Sequence, residues 1–266
     1  MGKAKSVRWT REQLLVALNL YHKLRFGQLD KRQKVIIDLA QKIGRTPDAV
    51  AMKLVNLASL DPTLKLRGIM GLPGSSQMDR EVWAEYHANP AELIPMAQGM
   101  FDALFVNDEL ETTEILPGKG IRVVRRPPMG GTESSSVTKR RIGQGYFREV
   151  VLNNYNGCCG VTGLPVRELL VASHILPWSK HAAERLNVSN GISLNRLHDS
   201  AFDRYLISFD DELRLLLSPK LKSLLPSESV AYHFEAYEGK TLSLPNDGLP
   251  PNLSFLSSHR KKLARN

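Results

Sequence analysis

Five polar residues between positions 174 and 203 have side chains that could hydrolyse an ester with the help of a metal ion. They are His174, Asn190, His198, Asp199 and Asp203. A neutral imidazole, whose pKa is ordinarily near 6.5, can take a proton from water at physiological pH. Hard divalent ions prefer carboxylate ligands, and softer ones accept imidazole. A histidine base beside metal-binding carboxylates is a combination suited to phosphodiester hydrolysis.

The local sequence predicts two strands and a short helix that would position these residues. An apolar run over 169–172 leads directly to His174, so the first strand should end at the histidine. A polar loop follows, and the segment 190–194, with Ile192 and Leu194 alternating with polar or small residues, fits the partner strand. The segment 196–203 fits a short helix, and a longer helix from about 144 to 155 should precede both strands.

These residues resemble the ββα-metal finger of the HNH (His-Asn-His) nucleases. The matching residues are, in order, His174-Ile175, Pro177-Trp178, Asn190-Gly191 and Ala201-Phe202-Asp203. The resemblance covers roughly residues 141 to 218. It implies a nuclease domain, for which we take 142–266, with His174 as general base and one divalent ion, Mg²⁺ or Mn²⁺. It also implies that Asn190 orients the loop carrying the base, since an amide both donates and accepts hydrogen bonds.

The metal ligand at the end of this motif is open to more than one interpretation. Relatives often have a histidine nine residues after the asparagine, and here that position is Asp199. His198 lies one residue earlier and could take the role alone or share it, so it stays a candidate for both catalysis and metal binding. Asp203 could bind the metal or only cap the helix. Ser173 stands where other branches often have an acidic ligand.

The composition favours nucleic acid as a partner. A hydrophobic share of 42% over 266 residues supports real cores, while the net charge of +9 favours phosphate backbones. Among nucleic acids we prefer double-stranded DNA, because paired helices can dock in its major groove. No run approaches the roughly 20 apolar residues of a membrane span, so we expect no membrane partner and a cytoplasmic protein. The only cysteines, Cys158 and Cys159, are too few for a structural zinc site, and none is expected.

Residues 1–110 are predicted to form a helical, nucleic-acid-binding domain. The apolar spacing indicates a first helix from about 11 to 25, then two more on either side of Gly44, which together form a helix-turn-helix pattern. Lys53 and Asn56 would lie on the outer face of the third helix, within reach of a phosphate or a base edge. The alternative is a bundle that serves only packing or dimerisation.

Residues 111–141 are predicted to be a basic linker between the two domains. The segment is rich in Pro, Gly and Ser, and it could be a solvated tether or could follow a phosphate backbone. The candidate nucleic-acid contacts of the linker are Arg125, Arg126, Arg140 and Arg141, and those near the motif are Lys180 and Arg196.

The sequence therefore predicts an α+β protein with a helical N-terminal domain and a ββα-metal nuclease domain. The expected function is metal-dependent DNA cleavage, and family analogy suggests restriction or defence. A DNA-binding regulator with an inactive finger and a nuclease acting on RNA remain as alternatives. A single finger cuts one strand, so a double-strand break would require a homodimer.

Overall fold

The computed structural model describes residues 8–108, 110–125 and 135–263, with the backbone alone from 135 to 140. The chain divides into two compact units, residues 1–146 and 147–266. The division falls inside a long helix, α7 Ser135–Asn154, rather than in a linker.

Six helices, a β-hairpin and the N-terminal part of α7 make up most of the described part of the first unit. Their bounds are α1 Arg11–Tyr21, α2 Lys34–Lys42, α3 Pro47–Ala58, α4 Pro62–Leu66, α5 Gln77–Ala88, α6 Pro90–Asp102, β1 Glu111–Leu116 and β2 Gly120–Arg125. Thr10 and Gln13 form the capping box that begins α1. Every residue of α1 from Leu14 to Tyr21 is buried, and the helix contacts α3, α5 and α6. It is therefore the central helix of this unit.

The turn between α2 and α3 follows the predicted pattern, but Lys53 and Asn56 of α3 are not exposed. Gly44 has a φ of +65°, which glycine tolerates, and Thr46 caps α3. Lys53 is only 8% exposed and donates to both carboxylate oxygens of Asp79, at 2.9 and 2.8 Å. The prediction that Lys53 contacts nucleic acid is therefore wrong, because its ammonium is already used inside the unit. Asn56 is half-buried against Gly74.

The first part of the predicted linker is a folded hairpin. β1 and β2 pair antiparallel, from Glu111 opposite Arg125 to Leu116 opposite Gly120. Thr113 and Ile115 are buried at alternate positions, and the Asp102 carboxylate accepts the Thr113 backbone N–H at 2.8 Å. A tether is therefore the wrong description of residues 111–125, because this alternation places one face of β1 in a core. Residues 126–134, which include Arg126, lie outside the described residues.

The second unit contains short antiparallel strand pairs packed among helices. Its elements are the C-terminal part of α7 Ser135–Asn154, then β3 Leu170–His174, β4 Gly191–Asn195, α8 Arg196–Asp203, β5 Ile207–Phe209, β6 Leu215–Leu217, α9 Pro219–Lys222, α10 Glu228–His233 and α11 Leu253–Leu263. β3 pairs with β4, and β5 with β6. Phe147, Val151, Ile192 and Phe202 lie at the centre of its core. The mixture of helices and small antiparallel sheets is of the α+β class. Across the described ranges, no helix is long and apolar enough to cross a membrane.

Candidate active site

The candidate site is built on β3, β4 and α8, in the order predicted from the sequence. His174 ends β3 opposite Gly191, the first residue of β4. α8 begins directly after β4, and the Asn195 side chain caps it by accepting the His198 backbone N–H at 2.9 Å. The loop from 175 to 190 connects the two strands. Its conformation therefore decides where the His174 ring lies.

Asn190 fixes this loop from inside. It is fully buried, and its Oδ1 accepts the Leu176 N–H at 2.8 Å. Its Nδ2 donates to the carbonyl oxygens of Glu184 at 3.0 Å and Leu176 at 3.3 Å. Buried amide groups need such partners, and no aliphatic residue could supply them. Asn190 thus holds the start of the loop, next to His174, against a segment near its end.

The His174 ring is held by two aromatic rings and one carbonyl. It stacks on Phe147, with ring centroids 3.8 Å apart, and its centroid lies 5.3 Å from the Trp178 ring at an edge-on angle. Its Nε2 lies 3.0 Å from the Arg185 carbonyl oxygen. A carbonyl oxygen only accepts, so Nε2 carries the hydrogen, and in the neutral ring the lone pair is on Nδ1. Nδ1 is therefore the atom that can take a proton.

The surroundings keep this imidazole neutral at physiological pH. Burial lowers the pKa of His174, while the hydrogen bond to Arg185 and the nearby Asp199 carboxylate oppose that shift. The direction of the net shift favours the unprotonated ring, which is the form a general base requires.

The Phe147 ring can pack at its observed position because residue 191 is glycine and has no Cβ. A Cβ on Gly191 would lie 2.4 Å from Val151 Cγ2 and 2.7 Å from Phe147 Cζ. Both distances are far inside van der Waals contact. The glycine of the Asn190-Gly191 pair therefore allows α7 to pack directly against β4, and the same packing places Phe147 under His174.

Asp199 and Asp203 share one side of α8, one turn apart. Burial raises the pKa of Asp199, and the Ser173 hydroxyl, Arg196 and Arg204 oppose the rise. Burial also raises the pKa of Asp203, although much of its surface is exposed, and the Asp199 charge raises it further. Within the described residues, neither carboxylate is part of an ion pair shorter than 4 Å. Two carboxylates whose ionised forms are both disfavoured, one turn apart, form a site where a cation would be stabilised.

His198 does not belong to this cluster. It is 1% exposed, and each ring nitrogen lies 3.0 Å from an oxygen, Nδ1 from Asn195 Oδ1 and Nε2 from the His233 carbonyl. Consecutive helical residues point about 100° apart, so residues 198 and 199 cannot face the same side. The suggestion that His198 binds the metal or acts in catalysis is therefore wrong. It joins α8 to α10, whereas Asp199 is near enough to His174 for each to affect the pKa of the other.

The predicted cationic contacts are distributed over both units. Lys180 lies exposed in the loop after β3, and Arg196 is exposed at the start of α8, near enough to Asp199 to lower its pKa. Arg125 is exposed at the end of β2 in the first unit, and Arg141 is exposed on α7. The side chain of Arg140 lies outside the described residues.

Three contributions to the site carry no signal in the sequence motif. Phe147 lies on α7 and is 27 positions before His174, in a helix that the motif does not include. Arg185 acts through its backbone carbonyl, which every residue has. Arg204 follows α8 and affects the pKa of both Asp199 and Asp203.

The residues present fit an ion that takes few ligands from the protein. Over the ranges that the structure describes, no group of three or more His, Cys, Asp or Glu side chains is arranged for a metal. Mg²⁺ commonly keeps several waters and takes only one or two carboxylates, with phosphate oxygens completing its shell. Asp199 and Asp203 supply two. Cys159 is buried in the core, where its sulfur accepts the Asn195 N–H.

Comparison with known proteins agrees with this arrangement. Residues 159–210 match the model of a family described as HNH endonuclease. The matched segment includes β3, β4 and α8, and with them His174, Asn190, Asp199 and Asp203. A search among curated proteins gave no significant match. The second unit therefore carries a segment of the HNH family.

Proposed function

We propose that this protein, whose residues 159–210 match the HNH endonuclease family, is a metal-dependent endonuclease that hydrolyses phosphodiester bonds in DNA, with His174 as general base. One observation supports this most strongly. The Nε2–H of His174 is held by the Arg185 carbonyl, so the basic Nδ1 remains for a water molecule, and the Asp199 carboxylate is near enough to affect the pKa of the ring. The buried rings of His198 and His259 differ, because both of their nitrogens lie within hydrogen-bond distance of an oxygen.

In the proposed reaction, His174 Nδ1 takes a proton from water, and the resulting hydroxide attacks phosphorus as the bond to the leaving oxygen breaks. The nearby Asp199 carboxylate stabilises the imidazolium that forms. Asn190 keeps the loop, and through it Arg185, in place during this step. A divalent ion bound at Asp199 and Asp203 would polarise the phosphate and stabilise the leaving oxygen. We favour Mg²⁺ or Mn²⁺ because both ligands are carboxylates.

The choice of DNA rests on charge and on the family. The chain carries a net charge of +9, and Lys180 and Arg196 add exposed cations beside the site. We do not assign base reading to α3, since Lys53 is paired with Asp79 and Asn56 lies against Gly74. By family analogy alone, we further propose that the protein cuts foreign DNA in the cytoplasm. Where both strands are cut, two chains would act together.

The test is cleavage of supercoiled plasmid and of labelled RNA by the full chain with Mg²⁺, Mn²⁺ or EDTA. The proposal predicts that the plasmid is nicked or cut with either metal and left intact in EDTA. Cleavage of RNA alone would change the proposed substrate to RNA and leave the proposed reaction unchanged. Binding of DNA without cleavage under any of these metals would favour the regulator with an inactive finger.

A further inference from the structure

Beside the candidate site lies a cleft that the proposed reaction does not use. It has a volume of about 350 Å³ and lies between the loop after β3 and helix α11. Ile175, Leu176 and Pro177, the three residues that follow His174, form one wall. Tyr205, two residues after Asp203, forms another. The chain thus leads from the base and from a proposed metal ligand directly into the same cleft.

The lining of the cleft suits a nucleotide. Tyr205 and Phe255 offer aromatic rings, and the Ser254 and Ser258 hydroxyls lie on the α11 side. The Lys262 ammonium lies 4.7 Å from the centre of the Tyr205 ring and donates to its hydroxyl at 2.9 Å. Aromatic faces stack with bases of any sequence, and an ammonium at the rim favours a phosphate.

The backbone at Tyr205 is a second, independent observation. The Leu206 N–H bonds to the Ala201 carbonyl and the Tyr205 N–H to the Phe202 carbonyl, so α8 ends in a Schellman motif. Tyr205 occupies the left-handed position of this motif, with a φ of +56°. Glycine is the usual residue there, and a tyrosine is strained. Strain of this kind is concentrated at functional sites, and here it places a tyrosine ring in the cleft.

We propose that this cleft binds one unpaired nucleotide of the DNA strand that is cut, with its base stacked on Tyr205 and Phe255 and its phosphate near Lys262. The proposal rests on the proposed nuclease function. A cleft of this volume holds a single nucleotide and not a duplex. The enzyme should therefore favour DNA with an unpaired nucleotide next to the bond that it cuts.

The test is binding of a DNA duplex that carries one unpaired 2-aminopurine, measured by fluorescence in EDTA with the full chain. Stacking quenches this base, so the wild type should quench it. Tyr205→Gly should weaken binding at least about fivefold, because one stacked base is lost. Glycine suits the left-handed backbone, and this gain offsets the loss of the ring's contacts with His259 and Lys262. The variant should therefore stay folded at the assay temperature, and its thermal unfolding curve separates lost binding from lost folding.

Matched controls come from the same helices. Lys262→Gln should weaken binding, whereas Lys261→Gln, which removes the same charge from a residue outside the cleft, should not. Asn156→Gly changes another residue with positive φ, at the end of α7, and should bind as the wild type does. Wild-type binding without quenching, or equal quenching by Tyr205→Gly, would overturn the proposal. If plasmid is cut but unpaired nucleotides are not preferred, only this proposal fails; if quenching occurs without any cleavage, the nuclease proposal fails instead.

Discussion

At the scale of single residues, two neighbours on α8 have opposite environments. The His198 ring has both nitrogens within hydrogen-bond distance of oxygens and packs edge-on against Phe234 and Tyr237. Asp199 lies on the other side, where burial raises its carboxyl pKa. The first arrangement stabilises the fold. The second arrangement destabilises the ionised Asp199 carboxylate, which a bound cation would stabilise.

This contrast predicts different losses from the two substitutions. Asp199→Asn should reduce metal-dependent cleavage by about 100-fold or more without lowering the unfolding temperature, because the ionised carboxylate is unfavourable without a metal. His198→Ala should lower the free energy of unfolding by about 2 kcal/mol through lost hydrogen bonds and packing. Thermal unfolding and cleavage rates below the transition measure both effects.

Asp211→Asn is the control for Asp199→Asn, since Asp211 is an exposed partner of Arg260 on the same unit. If folded His198→Ala protein lost cleavage as completely as Asp199→Asn, the assignment of these two roles would be reversed.

At the scale of elements, the site depends on how α7 packs against β4. Gly191→Ala would drive a methyl group into Val151 and Phe147. We expect a loss of about 1 to 3 kcal/mol of stability from this overpacking. The cleavage rate of the folded protein should also fall, because the His174 ring stacks on Phe147 and would shift with it. Chemical denaturation and cleavage rates test the two parts separately.

Gly145→Ala is the matched control on α7. No described atom lies within 4 Å of its added Cβ, and alanine is the better helix former. Cleavage should be unchanged, and stability should rise by up to about 1 kcal/mol. Equal effects of the two substitutions would contradict the role given to Gly191.

A second element contact makes stability depend on pH. His259 of α11 is buried, stacks on Phe202 of α8, and bonds to Ser208 of β5. Burial lowers the pKa of His259 to about 4, against about 6.5 in the unfolded chain. Between these values the unfolded chain binds the extra proton, so stability should fall as the pH drops from about 6.5 to 4, by about 1 to 3 kcal/mol.

His259→Gln removes this titration, and its free energy of unfolding should fall less steeply with acid than that of the wild type. His233→Gln changes an exposed histidine and should follow the wild-type curve. Urea denaturation at pH 7.5 and pH 5 is sufficient. Parallel curves for His259→Gln and the wild type would show that α11 does not bury a neutral histidine.

The elements could be predicted from sequence where local patterns determine them. The apolar run before His174, the Asn190-Gly191 pair and the Thr46-Pro47 start of α3 are signals of this kind. The hairpin at 111–125 was missed because its composition resembles a linker and Thr113 and Ile115 are the only buried side chains of its strands larger than glycine. The burial of Lys53 could not be predicted, since Asp79 lies 26 residues away. The roles of residues 198 and 199 depend on which side of α8 each one faces, and the residue spacing of the motif alone does not determine this.

At the scale of the whole molecule, the excess of positive charge predicts how binding responds to salt. Each phosphate contact by Lys or Arg contributes a slope of about −0.9 to a plot of log affinity against log salt. Removing Lys180 and Arg196 together, as Lys180→Gln with Arg196→Gln, should make the slope less steep by about 2. Binding to a fluorescent duplex in EDTA at several salt concentrations measures it.

The control is Lys31→Gln with Arg32→Gln, which removes two cations that are already paired with Asp48 and Asp30. It should leave the slope as it is. An equal change in both double variants would show that the response comes from total charge and not from contacts beside the site.

The most direct measurement is the single-turnover rate of DNA cleavage with Mg²⁺ by His174→Ala, compared with His233→Ala. His174 offers Nδ1 as base, whereas the His233 side chain is exposed on α10 and has no role in the proposed reaction. His174→Ala should be slower than the wild type by about 10²- to 10⁴-fold, as expected for the loss of a general base, and His233→Ala should match the wild type. A His174→Ala protein that is folded and cleaves at the wild-type rate would contradict the proposed mechanism.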